Sequence, residues 1–455
     1  MKAAIHNLGC KVNSYEAESM REQLINNGYE MVDFSEKADV YIVNTCSVTN
    51  IADRKSRQML HRAKKLNPDA VVVAAGCYVQ EVGDELLRDN AVDIILGNNK
   101  KSNLAETLAD YFKDQSKNAN FVDIGEEKLF EETPVETTDE NIRVNVKVQD
   151  GCNNFCTYCI IPYTRGRIRS RSISEIQKEV TGLADKGYKE IVINGINLSS
   201  YGLDLISGAD SSNSHMSTKK QDSNKNKSDV TLIELLEKLN EIDGIERIRM
   251  SSLEPRVISF DFVERLKKLE KICHHFHLSM QSGCDETLKR MNRHYTSDEY
   301  FEACLRLRKA FDDAAITTDV IVGFPGETEE EFEKSYDFCQ KVGFADLHVF
   351  KYSKRKGTKA ADMPNQLTEK QKHERSEKLI KLGKEMSEAF RNKFLGEEAE
   401  VLFEEKCLLS GEEYYIGHTR QYLKVCAKSD ENLVGKNMKV LIDKPLESEI
   451  LLARI

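Results

Sequence analysis

Three cysteines, Cys152, Cys156 and Cys159, stand at spacings of four and three in the stretch Cys152-Asn-Asn-Phe-Cys156-Thr-Tyr158-Cys159. Thiolates this close in sequence can face one centre. A structural zinc ion usually takes four protein ligands, so three cysteines with no fourth nearby suit an iron–sulfur cluster with one iron left open. A degenerate zinc knuckle, or a set of buried thiols, is the alternative that spacing alone leaves standing. The alternating run at residues 143–148 predicts a strand that delivers the chain to this loop, and Gly151 lets the backbone turn sharply into it.

A second set of cysteines is dispersed. Short apolar runs at residues 2–8, 40–43, 70–75 and 93–96 alternate with helical segments. Ser14 is the expected cap of a helix reaching about Asn26, and a basic helix is expected over residues 51–66, stopped by Pro68. This βαβα order predicts an open parallel sheet. Cys10, Cys46 and Cys77 each lie just past the carboxyl end of a strand. Parallel strands align those ends along one edge, where ligands of such sheets bind, so the three thiols should converge in space.

The loop of Cys152, Cys156 and Cys159, with Tyr158 before its last cysteine, resembles the cluster loop of radical S-adenosylmethionine (radical SAM) enzymes. Leu8-Gly9-Cys10-Lys11-Val12-Asn13, Asn44-Thr45-Cys46 and Ala75-Gly76-Cys77 resemble the three cysteine stations of the methylthiotransferase N-terminal domain. Together they resemble the radical SAM methylthiotransferase family over nearly the whole chain. The resemblance implies two 4Fe–4S clusters. One, on Cys152, Cys156 and Cys159, would bind SAM and yield a 5′-deoxyadenosyl radical. The auxiliary one, on Cys10, Cys46 and Cys77, would hold a sulfur that one SAM methylates and that passes to the substrate radical. The Lys-Val-Asn version of the first station is similar to the subgroup that acts on N6-threonylcarbamoyladenosine beside the tRNA anticodon. Isopentenyladenosine in tRNA and a ribosomal-protein aspartate are the family's other substrates.

The remaining elements must position these sites. Residues 1–112 are expected to form the N-terminal open parallel α/β sheet. Residues 113–141, polar and acidic, read as a linker. From residue 142 to about 370, helices alternate with six strands, which predicts a partial (β/α)6 barrel open on one side. Active-site residues of such barrels come from carboxyl-terminal strand ends. By resemblance to radical SAM enzymes, Tyr158, Asn194, Asn197, Ser252, Glu254 and Gln281 are expected SAM contacts. Residues 205–229 are nearly free of apolar side chains and read as a disordered insertion. His275 and His277 share one strand face, with no carboxylate pattern in the sequence to complete a metal site.

Arg165, Arg167, Arg169 and Arg171 alternate after the cluster loop, within a Pro162-Tyr163-Thr164-Arg165-Gly166 segment also found in methylthiotransferases. If extended, they face one way and could meet RNA phosphates or carboxylates, with a solvated edge as the alternative. Adjacency to the cluster loop and the resemblance to methylthiotransferases make Arg165 and Arg167 the expected substrate contacts. Residues 371–455 give a charged helix and then five short strands, enough for a small β-barrel. That barrel resembles the RNA-binding TRAM domain, with Tyr414, Tyr415, His418, Arg420 and Tyr422 as an aromatic and basic platform.

The net charge of −10 gives no global attraction to nucleic acid, so any RNA contact must use local basic patches. The start has no apolar signal-like run, and no stretch is long and apolar enough to span a membrane. Twelve cysteines without an export signal point to metal sites and reduced thiols in a cytoplasmic protein. The family reading implies a tRNA anticodon stem-loop as partner, a low-potential electron donor such as a flavodoxin or ferredoxin, and a sulfur donor. Two other classes fit parts of the sequence: a zinc-containing, non-catalytic RNA-binding protein, and a radical SAM enzyme acting on a small molecule.

Overall fold

Apolar runs of strand length alternate with capped helical segments along most of the chain, and the computed structural model folds them in that order. It describes residues 1–114, 118–137, 142–205, 231–447 and 449–455. The insertion expected at 205–229 lies, from 206 on, outside the described residues.

The first unit runs β1 (Lys2–Asn7), α1 (Lys11–Asn26), β2 (Glu30–Met31), β3 (Val40–Thr45), α2 (Asn50–Leu66), β4 (Val71–Gly76), α3 (Cys77–Val82), β5 (Ile94–Leu96), α4 (Leu104–Asp114) and β6 (Asn118–Asn120). All neighbouring strands pair in parallel, in the order β2-β1-β3-β4-β5-β6. Central β3 and β4 are buried along their whole length, hence their unbroken apolar runs. Cys10, not Ser14, is the N-cap of α1. The helix starts directly from the turn at Gly9, so Ser14 falls inside it and accepts a hydrogen bond from the Asn7 side chain. Nor is the segment read as a linker a free spacer. β6 extends the sheet, and Ile124, Thr133 and Val135 are buried, the Val135 amide donating to Glu179 at 3.0 Å.

The central unit continues with β7 (Arg143–Asp150), α5 (Ile161–Thr164), β8 (Arg169–Ser170), α6 (Ile173–Asp185), β9 (Glu190–Gly195), α7 (Leu232–Asn240), β10 (Arg247–Met250), α8 (Phe260–Leu266), β11 (His275–His277), α9 (Asp285–Arg290), α10 (Ser297–Ala310), β12 (Ala315–Val322), α11 (Glu329–Val342) and β13 (Asp346–Lys351). Its strands form two sheets, β10-β9-β7-β8 and β11-β12-β13, joined by a bridge between Ile248 and Ile272. The six parallel strands β7, β9, β10, β11, β12 and β13 make the expected partial barrel, and β8 pairs antiparallel at one edge. Capping boxes at Thr231/Glu234, Thr296/Glu299 and Thr328/Glu331 start α7, α10 and α11, satisfying free amides at each helix N-terminus. Cys304 on α10 and Cys339 on α11 belong to the core.

α12 (Glu369–Asn392) lies against β13, close enough that a Cβ on Gly383 would sit 3.1 Å from Leu347 Cβ. β14 (Glu398–Leu409), β15 (Glu412–Thr419), β16 (Lys424–Ala427), β17 (Asn437–Glu447) and β18 (Ile450–Arg454) then close a small barrel. It docks on the amino-terminal ends of the central strands, the end opposite the cluster loop. Arg247 donates to the His418 carbonyl at 2.7 Å, and Arg249 to the carbonyls of Thr419 and Arg420. The N-terminal sheet covers the open side of the central barrel. It is held at β7 by Glu16 and beyond β13 by Asp53 and Glu81, both paired with Arg355.

Candidate active site between two cysteine triads

Cys10, Cys46 and Cys77 follow β1, β3 and β4, three adjacent strands, so their carboxyl ends bring the thiols together. The preceding glycines are required by the packing. Gly9 has φ +118°, and a Cβ there would sit 3.1 Å from Cys46 Cβ. Gly76 has φ +96°, and a Cβ there would sit 2.8 Å from the Thr45 carbonyl. Cys77 also accepts a hydrogen bond from Asn98 Nδ2 at 3.4 Å, and Cys10 donates to Asn13 Oδ1 at 3.6 Å.

The second triad sits on the turn after β7. Gly151 there has φ +70° and leaves no room for a side chain, since a Cβ would meet the Arg167 carbonyl at 1.8 Å. Asn197 Nδ2 approaches Cys152 at 3.8 Å. Arg293 donates to Cys156 at 3.2 Å and pairs with Glu254 at 3.1 Å, and Glu254 also accepts from Asn154 at 2.6 Å. Arg293 is thus a site residue that the sequence did not single out. It lies in a turn without a motif, and its only signal is proximity in the fold.

Both triads fit iron–sulfur clusters better than single ions. Sulfurs bound to one zinc at about 2.3 Å would lie within about 4 Å of each other. Among the described residues, neither triad brings all three sulfurs within 4.8 Å of one another. Burial pushes the Cys46 and Cys152 thiols up to about 12 and raises Cys159 too, so the protein alone holds them protonated. A coordinating cation is what would ionise them. Beside the first triad, Lys101, Lys147, Arg165 and Arg169 surround the two buried carboxylates Glu16 and Asp150. That excess of positive charge suits an anionic, thiolate-bound cluster.

The other expected contacts divide. Glu254, Asn197 and Gln281 gather at the cluster end of the barrel; Gln281 has φ +69°, and its amide donates to the Asp319 carbonyl at 2.9 Å. Tyr158 lies half-buried against a small cluster that includes Phe324 and Tyr352. Asn194 is buried and bonded to Asn145 at 2.7 Å, while Ser252 is exposed at its strand end.

The arginine ladder does not form. Ile161–Thr164 is a helical turn rather than a strand, so alternation fails. Arg165 is fully buried and donates to Glu16 at 2.8 and 3.0 Å and to Asn13 at 2.7 Å. Arg169 and Arg171 are buried as well. Arg165 therefore presents no free guanidinium to a substrate. Arg167 is exposed, stacked over Phe155 at 4.5 Å, with Phe155 edge-on to exposed Tyr163.

The aromatic and basic residues of the C-terminal barrel are also spent internally. Tyr422 stacks on His418 at 4.5 Å and on His275 at 5.2 Å, with Arg249 over its ring at 4.6 Å. Arg420 donates to the Glu270 carbonyl at 2.7 Å. Composition signalled a binding surface, but these residues bind the chain itself. Inside the barrel, His277 lies 3.3 Å from Asp319 and stacks near His348, so the carboxylate not legible beside the histidines comes from β12. These three donor groups lie within 4.8 Å of each other.

Residues 146–339 match the model of the radical SAM superfamily, and residues 2–97 match the uncharacterized protein family UPF0004. The chain is 40% identical over 443 residues to the threonylcarbamoyladenosine tRNA methylthiotransferase MtaB of Bacillus subtilis (strain 168), covering 97% of this chain and 93% of that protein. MtaB of Aquifex aeolicus is 39% identical over 448 residues, covering 97% and 100%. A tRNA-2-methylthio-N(6)-dimethylallyladenosine synthase of Thermoanaerobacter sp. is 38% identical over 446 residues, covering 96% and 89%. Among solved structures, the radical SAM methyltransferase TsrM of Kitasatospora setae, with cobalamin and a [4Fe-4S] cluster bound, shares the fold. Its TM-score is 0.56 at 13% identity, covering 79% of this chain and 77% of that one.

Proposed function

Because the chain belongs to the tRNA methylthiotransferase family of radical SAM enzymes, we propose that it places a methylthio group on carbon 2 of N6-threonylcarbamoyladenosine in tRNA. The observation that carries the choice of base is Lys11. It directly follows Cys10 and lies in electrostatic reach of Arg249 and Arg143. Arg249 pairs with Glu190 at 2.8 Å and Arg143 with Glu404 at 3.5 Å, which leaves Lys11 as the cation there with no carboxylate partner among the described residues. It favours a group that brings a negative charge, and the threonylcarbamoyl side group carries a carboxylate. An isopentenyl group carries none.

When bound, the cluster on Cys152, Cys156 and Cys159 with SAM supplies a hydrogen-abstracting radical, and the cluster on Cys10, Cys46 and Cys77 supplies an iron able to hold sulfur. The chain's own residues orient the two sites. Arg293 steadies Cys156 and is itself fixed by Glu254. Asn197 does the same for Cys152. Asn13, held by Arg165, receives the Cys10 thiol. Arg167 on Phe155 is the substrate contact that remains open. Glu254, Asn197, Gln281, Tyr158, Asn194 and Ser252 are proposed to border the SAM site.

A low-potential electron donor, such as a flavodoxin or ferredoxin, and a sulfur donor complete the reaction as partners, in a cytoplasmic setting. No described helix is long and apolar enough to cross a membrane. The C-terminal barrel is proposed to aid RNA binding through its outward faces rather than through His418, Arg420 and Tyr422. The deciding experiment offers reconstituted enzyme two tRNAs, one threonylcarbamoylated and one isopentenylated, and analyses the nucleosides by mass. Methylthiolation of the first is expected. Turnover of the isopentenylated tRNA alone would overturn the assignment.

A further inference from the structure

The basic helix α2 supplies no cysteine to either site and meets the first only through Ser56, which bonds the Cys46 backbone, yet it carries an open cationic surface beside them. Arg54, Arg57, Gln58, His61, Arg62 and Lys65 recur at spacings of three and four and line one exposed face, around a shallow cavity of about 570 Å³. The opposite face packs through Ser56, Leu60 and Ala63. Arg57 donates to the Tyr78 hydroxyl at 2.9 Å, and His61 lies 3.0 Å from Asp89. Arg62 is in reach of Asp33, while Arg54 and Lys65 have no ion pair among the described residues.

The surface continues beyond the helix. Asn50, at the start of α2, donates to the Lys354 carbonyl at 3.0 Å, and Arg355 locks the same loop to Asp53 and Glu81. Lys354 and Lys356 on that loop are exposed. Next to them, Gly357 borders Ile160, the residue after Cys159. A cationic track thus runs from Lys65 along α2, which begins four residues past Cys46, to the edge of the other cysteine loop. From Arg54 to Lys65 alone it is about 16 Å long at 1.5 Å per residue.

We propose that this track is the docking surface for the phosphate backbone of the substrate RNA. The inference rests on the tRNA reading above and deepens it. A chain of net charge −10 needs a local basic face to hold RNA. This face is elongated, rich in arginine suited to bidentate phosphate contacts, and adjacent to both cysteine triads. The residues first expected to do this work, Arg165 and the barrel's His418, Arg420 and Tyr422, are engaged within the chain.

The test compares full-length, cluster-reconstituted wild type with the variant Arg54→Ala/Arg62→Ala/Lys65→Ala. Affinity for threonylcarbamoylated tRNA is measured across a potassium chloride series, beside SAM cleavage without RNA and the melting temperature. Each lost phosphate contact should flatten the slope of log affinity against log salt by about 0.7–0.9. The variant is expected to lose about two units of slope and at least about tenfold in affinity at low salt, with SAM cleavage and melting unchanged. Substituting Arg54→Lys and Arg62→Lys instead should keep most of the slope. A variant that binds tRNA as tightly as an active wild type, with the same slope, overturns the docking surface and leaves the function standing. Loss of flavodoxin-driven turnover with tRNA affinity intact overturns it too, because the face would then serve an acidic protein. Wild type that binds no tRNA overturns both this surface and the proposed function.

Discussion

Arg165 and Glu16, 149 residues apart in sequence, share hydrogen bonds of 2.8 and 3.0 Å in a setting where both side chains are buried. Arg165 ends the turn after the radical cluster loop, and Glu16 lies in the first helix after Cys10. The same guanidinium reaches Asp150 on the strand leading into the cluster loop, and Asn13, which receives the Cys10 thiol. One buried side chain therefore sets the position of one cysteine triad relative to the other.

Breaking that pair should be costly. Removing one partner of a buried ion pair leaves an uncompensated charge and costs about 3–5 kcal/mol. Glu16→Gln takes from Lys101 its carboxylate partner and leaves Lys147 and Arg165 with Asp150 alone. It is expected to lower the urea midpoint and to strip iron first from the N-terminal triad. The double variant Glu16→Gln/Arg165→Met should cost less than the sum of the single changes. Simple additivity would show that the two side chains do not interact.

How much of this was legible in the sequence follows from the range of each interaction. The parallel order and the strand ends at Cys10, Cys46 and Cys77 were readable because period and turn signals are local. The six central strands were readable for the same reason, since their short apolar runs alternate with helical segments. Arg165 looked like part of a basic ladder because its partners lie far away in the chain. His418 and Tyr422 looked like an RNA platform because composition cannot tell a surface that binds RNA from one that binds the chain's own barrel. Arg293 and the pairing of His277 with Asp319 carried no local pattern at all.

The two triads should separate by iron content and chemistry. Reconstituted protein is expected to hold about eight irons per chain. Replacing Cys152, Cys156 and Cys159 with Ala should leave about four and abolish deoxyadenosine formation. Replacing Cys10, Cys46 and Cys77 should also leave about four but preserve SAM cleavage. Full iron retention in the second variant would rule out those cysteines as ligands.

Docking of the C-terminal barrel should weaken in acid. Burial alone would raise the pKa of Glu190, Glu400 and Glu404, but neighbouring groups outweigh it and lower all three. Arg249 does this for Glu190, Asn437 and Arg420 for Glu400, and His418 and Arg143 for Glu404. A carboxylate with a depressed folded pKa adds stability that is complete above its unfolded value, about 4.3 for Glu, and that drains away as pH falls below it. The chain has no tryptophan, so Tyr422→Trp gives a single reporter at the docking contact. Its emission should be constant from about pH 7 to 5 and shift toward that of a solvent-exposed indole below about 4.3. An emission spectrum unchanged down to the point of global unfolding would mean that these carboxylates do not secure the barrel.

Substrate choice should depend on Lys11 in a way that structure alone does not explain away. Lys11 is exposed and makes no hydrogen bond or ion pair among the described residues. Its replacement therefore breaks no hydrogen bond or ion pair among the described residues. Desolvation by the surrounding chain, then Arg249 and Arg143, outweighs Glu190 and lowers its pKa, so a substrate carboxylate arriving there relieves repulsion between cations. Lys11→Met should raise KM for threonylcarbamoylated tRNA by about tenfold, the equivalent of about 1.4 kcal/mol, with a smaller change in kcat. SAM cleavage without RNA and iron content should not move. Arg167→Ala, by contrast, removes a cation stacked on Phe155 and should lower kcat as well, because it lies beside the radical cluster loop. The comparison that decides is tRNA whose threonylcarbamoyl carboxylate has been converted to an amide. If Lys11 meets that carboxylate, wild type should turn over the amide tRNA as poorly as Lys11→Met turns over the natural one, and the variant should no longer tell the two tRNAs apart. A variant that still prefers the natural tRNA by the wild-type margin would place the carboxylate elsewhere and remove Lys11 from the account of specificity.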